Sequence, residues 1–215
     1  MVTKVEIVLS GTQNSSAPGP DNISYRFMKV IKDTILREKV LEVVAKNLIK
    51  GIIPREWLNR KVVIIPKPGK DHKKTKGWRP INLINCIGKL VEKVVADVLQ
   101  GCGLQHKYQF GSVKDRSATE AVLRTVTRVQ WCLVQGEAIA WDFWNVKGGF
   151  QNVREEDMIK ELEKSEEGIT WIPWVSEFFR EREFGLDWDW KIRVAGRTNF
   201  GAPQGSPLST IIFLI

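Results

Sequence analysis

The sequence predicts an α+β fold, and three observations carry that prediction. Short β-branched or apolar runs at residues 61–65, 138–144 and 188–194 read as strands. Longer stretches at residues 33–50, 87–99 and 117–134 hold apolar residues at helical spacing. The two kinds of segment do not alternate as regular βαβ units, which argues against a parallel α/β sheet. With 215 residues and 43% apolar content, the chain can make one ordinary core or two small lobes, so a globular protein is expected.

The first ten residues contain one lysine and a short apolar run, without an apolar region of signal-peptide length. No later window approaches the roughly eighteen apolar residues of a membrane span. The expected location is therefore intracellular, nucleus or cytoplasm, with no membrane contact. Ser15, Ser16, Ala17, Pro18, Gly19, Pro20 and Asp21 cluster turn formers, so an ordered loop should close a lead-in of residues 1–20.

The first long helix is expected from Asp33 to Lys50, where Leu36, Val40, Val43, Val44 and Leu48 recur near helical period. Asp33 is its candidate N-cap and Gly51 its stop. Lys61-Val62-Val63-Ile64-Ile65 is β-branched and stopped by Pro66, which suits a buried strand. From Ile87 to Leu99, Leu90, Val91, Val94, Val95, Val98 and Leu99 mark one face of a helix. Lys89, Glu92, Lys93 and Asp97 are assigned to its solvent face.

Ser117 with Glu120 forms a capping-box pattern for a helix running to about Val134, with Ala121, Val122, Thr125, Val129, Cys132 and Leu133 on its apolar face. Ala138–Trp144 then reads as a strand, Arg154–Lys164 as an exposed charged helix, Trp171–Arg180 as another helix and Trp188–Val194 as a strand. Ser206-Pro207 should start the last helix with a cap and a fixed φ.

The net charge of +8, from 33 basic and 25 acidic residues, favours polyanionic partners such as nucleic acid or anionic lipid. Cys86, Cys102 and Cys132 are odd in number and form no C-x-x-C pair, so neither a disulfide framework nor a zinc site is indicated. The basic window runs from Lys50 to Arg79, where Lys67, Lys70, Lys73, Lys74 and Lys76 cluster. Charge alone leaves a solvated face and a phosphate-binding face as equal readings. A Walker loop is excluded there, because Ile64 stands where its first glycine belongs and Asp71 follows Lys70 in place of Ser or Thr.

Five blocks, taken in order, bear a resemblance. They are Ser16-Ala17-Pro18-Gly19-Pro20-Asp21, Ile64-Ile65-Pro66-Lys67-Pro68-Gly69-Lys70 with Gly77-Trp78-Arg79-Pro80-Ile81, Gln109-Phe110-Gly111 through Arg116-Ser117, Asn145 through Val153, and Pro203-Gln204-Gly205-Ser206-Pro207-Leu208-Ser209. Together they resemble reverse transcriptases of the non-LTR retrotransposon type across about residues 15–215. The resemblance implies a right-hand polymerase with fingers (about 21–135) and an incomplete palm (136–215), both within a reverse-transcriptase-like domain of residues 21–215, thumb absent. It implies RNA-directed DNA polymerase activity, with an RNA template, a DNA primer, deoxynucleotides and magnesium.

By resemblance, Lys67 and Arg79 lie against the triphosphate of the incoming nucleotide. A guanidinium can grip phosphate oxygens bidentately while an ammonium acts as a point charge, so the residue types suit the role. Phe150 matches the aromatic gate that excludes a ribose 2′ hydroxyl; alone it would read as core, and in register with its block it reads as the gate. Gln204 and Gly205 are implied to touch the nucleotide or the template. Lys70, Lys73, Lys74, Lys76 and Arg116 are the implied nucleic-acid contacts. Ser112 and Asp115 depart from the family's form of their block, and a simple loop with a helix cap also accounts for Ser117.

Asn145 stands where the family holds a magnesium-binding aspartate, so no intact metal site is expected. An amide offers one neutral oxygen, whereas magnesium prefers charged oxygen ligands. Losing one preorganised hydrogen-bond donor costs about 3 kcal/mol, on the order of a hundredfold in rate, and losing a charged ligand should cost more. Asp142 is a poor substitute, because strand residues three apart face opposite sides and lie roughly 10 Å apart. The family's Asp-Asp turn is implied to fall beyond Ile215, so the chain as it stands is expected to be silent. The other readings are a non-catalytic RNA- or DNA-binding remnant and an inert product of a decayed element.

Overall fold

A computed structural model describes residues 1–31, 34–188, 191–199 and 201–215 of the chain. Three helices open it: α1 (Val2–Ser10), α2 (Tyr25–Val30) and α3 (Ile35–Lys50). Helix α1 falls inside the stretch expected as a lead-in, and its buried Val5 and Leu9 join the main core. The Thr34 hydroxyl caps α3 by accepting from the Arg37 amide, while Asp33, the expected cap, lies outside the described residues. Gly51 ends α3 at φ +65°, the left-handed conformation that glycine adopts without strain.

A single turn, α4 (Arg55–Leu58), leads into strand β1 (Arg60–Pro66). Strand β2 (Trp78–Ile84), which the sequence reading did not anticipate, pairs antiparallel with β1 from Arg60↔Ile84 to Pro66↔Trp78. Helix α5 (Cys86–Gly101) follows and is the centre of the core, with Leu90, Val91, Val94, Val95 and Leu99 buried. Lys89 and Glu92, assigned to its solvent face, are buried as well. The correction has a simple cause: α5 is covered on more than one side, with the 15–21 loop on Lys89 and the last helix on Glu92. Lys89 Nζ donates to Ala17 O at 2.6 Å.

Helix α6 (Ala118–Val134) starts where expected, with the Ser117 hydroxyl accepting from the Glu120 amide at 3.1 Å. Its expected apolar face is not covered: Cys132 is the one buried residue of the helix, and Val122 and Leu133 are exposed. The expected strand at Ala138–Trp144 is also absent, since this segment is irregular and Phe143 is 90% exposed. An apolar run becomes a strand only where another strand takes its backbone N–H and C=O groups, and none does so among the described residues.

The rest is compact. Helices α7 (Glu155–Leu162), α8 (Glu166–Ile169) and α9 (Ile172–Phe179) come in quick succession. The charged helix α7 is not wholly exposed, because Met158 and Leu162 are buried in the core. The expected strand at Trp188–Val194 resolves into parts of two strands, β3 (Arg182–Trp188) and β4 (Lys191–Thr198), which pair antiparallel. Asp189 and Trp190 between them lie outside the described residues. Helix α10 (Pro207–Leu214) closes the chain, with the Ser206 hydroxyl accepting from the Ser209 amide. The four strands form one sheet in the order β2-β1-β3-β4, with β1 and β3 parallel. The result is the predicted α+β class.

Candidate functional site

A cavity of about 510 Å³ opens between the sheet and two glycine-rich turns. Its lining includes Lys67, Phe150 and Gln204, three residues drawn from three separate sequence blocks. Arg60 and Asn82 from β1 and β2, and Arg182 from the start of β3, contribute to the same walls.

Lys67 begins the β1–β2 connection. Its amide donates to Gly77 O at 2.8 Å, and its ammonium donates to Lys76 O at 3.1 Å. The loop it starts is ordered by its own polar groups: the Lys73 amide donates to Asp71 Oδ1 at 3.0 Å and the Trp78 indole N–H donates to His72 O at 2.8 Å. Gly77 is required here, because a Cβ at this position would collide with Asp71 O. Lys70, Lys73, Lys74 and Lys76 therefore project as exposed cations from an ordered loop.

Phe150 sits in a short helical turn (Gly149–Asn152) and packs its ring on Phe213 of α10, centroids 5.1 Å apart. Its carbonyl accepts from the Ala202 amide at 2.7 Å, which joins the two turns. Gln204 is fixed through its own carbonyl, which accepts both from the Asn82 amide at 3.0 Å and from Asn82 Nδ2 at 3.1 Å. Gly205 has φ +112°, and a Cβ there would lie 2.5 Å from Asn82 O. The close approach that the glycine permits is thus to the protein's own strand β2.

Behind the cavity is a buried charge cluster. Arg60, Glu92 and Arg182 are all buried, at 4%, 6% and 2% exposure. Burial pulls the Arg60 guanidinium down to about 9, with the like charge of Arg182 adding to the effect. Burial pulls Arg182 down to about 10, and the charge of Glu92 offsets part of that. Burial raises the Glu92 carboxyl above its ordinary value, opposed by Arg60, by the Ser206 hydroxyl and by Arg182. Arg182 Nη2 donates to Gly201 O at 2.8 Å, and its guanidinium lies over the Phe178 ring, 5.3 Å from the centroid.

The other anticipated residues lie elsewhere. Arg79 is exposed on β2 opposite Ile65, and it is not part of the cavity lining. Asn145 is exposed in the irregular segment, although its neighbour Val146 lines the cavity. Arg116 turns inward on its own loop, its Nη1 donating to His106 O, Lys107 O and Gln109 O at 3.1, 3.0 and 2.6 Å.

The donor set does not fit a divalent ion. Asn145 supplies a neutral oxygen from an exposed segment, and Asp142 is exposed in the same segment. Among the described residues no group of three or more His, Cys, Asp or Glu gathers. Nor is any helix among them long and apolar enough to cross a membrane.

Arg182 stands in no sequence block, and Arg60 falls within the basic window from Lys50 to Arg79. A signal was present: with strands starting at 60 and 182, period-two alternation puts Arg60 on the side of Val62, and Arg182 on the side of Phe184 and Leu186.

Residues 65–215 match the family model described as reverse transcriptase (RNA-dependent DNA polymerase). The chain is 23% identical over 203 residues to the RNA-directed DNA polymerase from mobile element jockey of Drosophila melanogaster, covering 93% of this chain and 22% of that protein. It is 22% identical over 208 residues to the probable RNA-directed DNA polymerase from transposon BS of the same fly, covering 93% and 22%. The probable RNA-directed DNA polymerase from transposon X-element, also of that fly, is 22% identical over 219 residues, covering 99% and 24%. The chain therefore spans less than a quarter of the length of these relatives.

Proposed function

Because the chain belongs to the reverse transcriptase (RNA-dependent DNA polymerase) family, we propose that its cavity is a deoxynucleoside triphosphate site in a retrotransposon polymerase module. In this reading residues 21–135 act as fingers and 136–215 as part of a palm, after a lead-in of residues 1–20. Lys67 meets the triphosphate, Phe150 lies against the sugar, and Gln204 bounds the base or the template. Arg79 approaches the phosphates from the adjoining strand. The exposed Lys70, Lys73, Lys74 and Lys76 hold backbone phosphates of an RNA template or DNA primer, giving affinity with little sequence preference.

One observation supports this most directly: Lys67, Phe150 and Gln204, anticipated from separate blocks, line one cavity. Asn145 sets the limit. With an amide where the family carries a metal-binding carboxylate, the module binds substrates and turns them over poorly if at all.

The test is a titration with a fluorescent deoxynucleoside triphosphate. Saturable binding is expected, weakened about tenfold by Lys67→Ala, as for loss of one charge-assisted phosphate contact. Phe150→Ala should reduce the preference for deoxyribo- over ribonucleotide. Absence of saturable binding at millimolar nucleotide would reject the site.

A binding remnant without nucleotide recognition is the second reading, favoured by the row of cations on an ordered loop. It predicts oligonucleotide binding that falls steeply with salt while the nucleotide titration stays flat.

A further inference from the structure

The Arg182 guanidinium is 2% exposed, yet its Nε and Nη1 have no hydrogen-bond partner among the described residues. Buried donors of this kind are costly, and a charged one most of all. The same side chain lines the cavity, with Arg60 and Lys67 on the walls beside it. Its face is against Phe178 and one Nη2 hydrogen is on Gly201 O, so the Nε hydrogen, the Nη1 hydrogens and the second Nη2 hydrogen are what it has left to offer. Among the described residues Glu183 is the one acidic side chain in the lining, and Arg197 holds its Oε1 through Nη2 at 2.6 Å and Nε at 3.0 Å. The cations at the back of the cavity therefore exceed the carboxylates, even with Glu92 counted behind them.

We infer that Arg182, with Arg60 beside it, forms an oxyanion subsite at the base of the cavity that takes one phosphate group. This subsite is separate from the Lys67 position near the loop, and it rests on reading the cavity as a phosphate-bearing ligand's site. With one Nη2 hydrogen on Gly201 O, the other Nη2 hydrogen and the hydrogen of Nε or Nη1 beside it leave one bidentate edge, which suits a phosphate that accepts paired hydrogen bonds in a plane. The phosphate could belong to the triphosphate of a nucleotide or to the backbone of a strand. The charge of Glu92 favours the cationic form of both guanidiniums, and it also competes electrostatically with the incoming anion.

That competition makes the inference testable in two directions. The full chain is titrated with inorganic tripolyphosphate, a deoxynucleoside triphosphate and a short single-stranded oligonucleotide, as wild type, Arg182→Lys, Glu92→Gln and Lys67→Ala. Tripolyphosphate should bind wild type, about tenfold more weakly Arg182→Lys, and several-fold more tightly Glu92→Gln. If Arg182→Lys does not fold, the gain from Glu92→Gln carries the test alone.

The inference is overturned if folded Arg182→Lys binds every probe as wild type does, or if Glu92→Gln brings no gain. Sensitivity of nucleotide but not oligonucleotide to Arg182→Lys assigns the phosphate to the nucleotide, and the reverse assigns it to the strand. Nucleotide binding that depends on Lys67 and ignores Arg182 removes the subsite and leaves the nucleotide site standing. Tripolyphosphate binding that depends on Arg182, with no added affinity for nucleotide, keeps the subsite and removes the nucleotide reading.

Discussion

The Ser206 hydroxyl donates a 2.5 Å hydrogen bond to the buried Glu92 carboxylate. With the Leu208 amide, which also bonds Glu92, this contact ties the start of α10, and with it the Gln204-Gly205 turn, to the central helix α5. The same hydroxyl oxygen accepts from the Ser209 amide as the cap of α10. Ser206→Ala removes both interactions and should lower the unfolding free energy by about 2–4 kcal/mol, a cap plus a buried bond to a charged group. Urea denaturation measures it, and a loss below about 0.5 kcal/mol would show that neither interaction stabilises the fold.

Glu92 gives stability a pH dependence of defined sign. Burial raises its folded pKa above the ordinary 4.5, so between those two values the folded chain keeps a proton that the unfolded chain has released. Stability must then fall as pH rises through this window, and level off above the folded value. Glu92→Gln cannot titrate. Its stability relative to wild type should improve from about pH 4 upward, measured as denaturation midpoints along a pH series. A difference that stays constant, or moves the other way, contradicts the assignment.

Gly205 cannot readily accept a side chain in the second turn. At φ +112°, with Asn82 O 2.5 Å from where a Cβ would sit, alanine meets both backbone strain and a main-chain clash. Gly205→Ala should destabilise by about 2–5 kcal/mol and weaken ligand binding in the cavity, because Gln204 loses its register on Asn82. Calorimetric unfolding at the wild-type midpoint would expose this idea as wrong.

Much of the fold was legible for local reasons. Ser117 and Glu120 mark the start of α6 through a cap that spans only three residues, and Gly51 likewise marks the end of α3. The α5 apolar face follows from spacing alone. What stayed hidden depends on distant partners: Glu92 reads as a surface residue until Ser206, 114 positions away, is placed on it. Ala138–Trp144 has the pattern of a strand, yet a strand needs a neighbour that no local pattern can supply. Of the cavity lining, Lys67, Phe150 and Gln204 stand in recognisable blocks, whereas Arg60 and Arg182 have no block and carry only the weaker signal of strand alternation.

The basic loop predicts an outcome opposite to that of Gly205. A Cβ on Gly77 would strike Asp71 O, which breaks the loop's closure through Lys67 N–H and Gly77 O while leaving the core untouched. Gly77→Ala should therefore change global stability by less than about 1 kcal/mol but accelerate tryptic cleavage among Lys70, Lys73, Lys74 and Lys76. Unchanged cleavage rates would mean that the loop is not held by this contact.

Arg116 separates a phosphate contact from a structural one. Its Nη1 reaches three carbonyls, His106 O, Lys107 O and Gln109 O, so removing it leaves all three without that donor. Arg116→Ala should raise amide exchange across residues 105–116, because the loop then lacks the group that gathers it. Each Lys or Arg on a phosphate adds about one unit to the slope of log K against log salt. A guanidinium engaged within its own loop adds none, so the salt slope for oligonucleotide binding should be the same in wild type and Arg116→Ala. A slope reduced by about one unit, with exchange unchanged, would instead make Arg116 a nucleic-acid contact whose carbonyl partners give way to phosphate on binding.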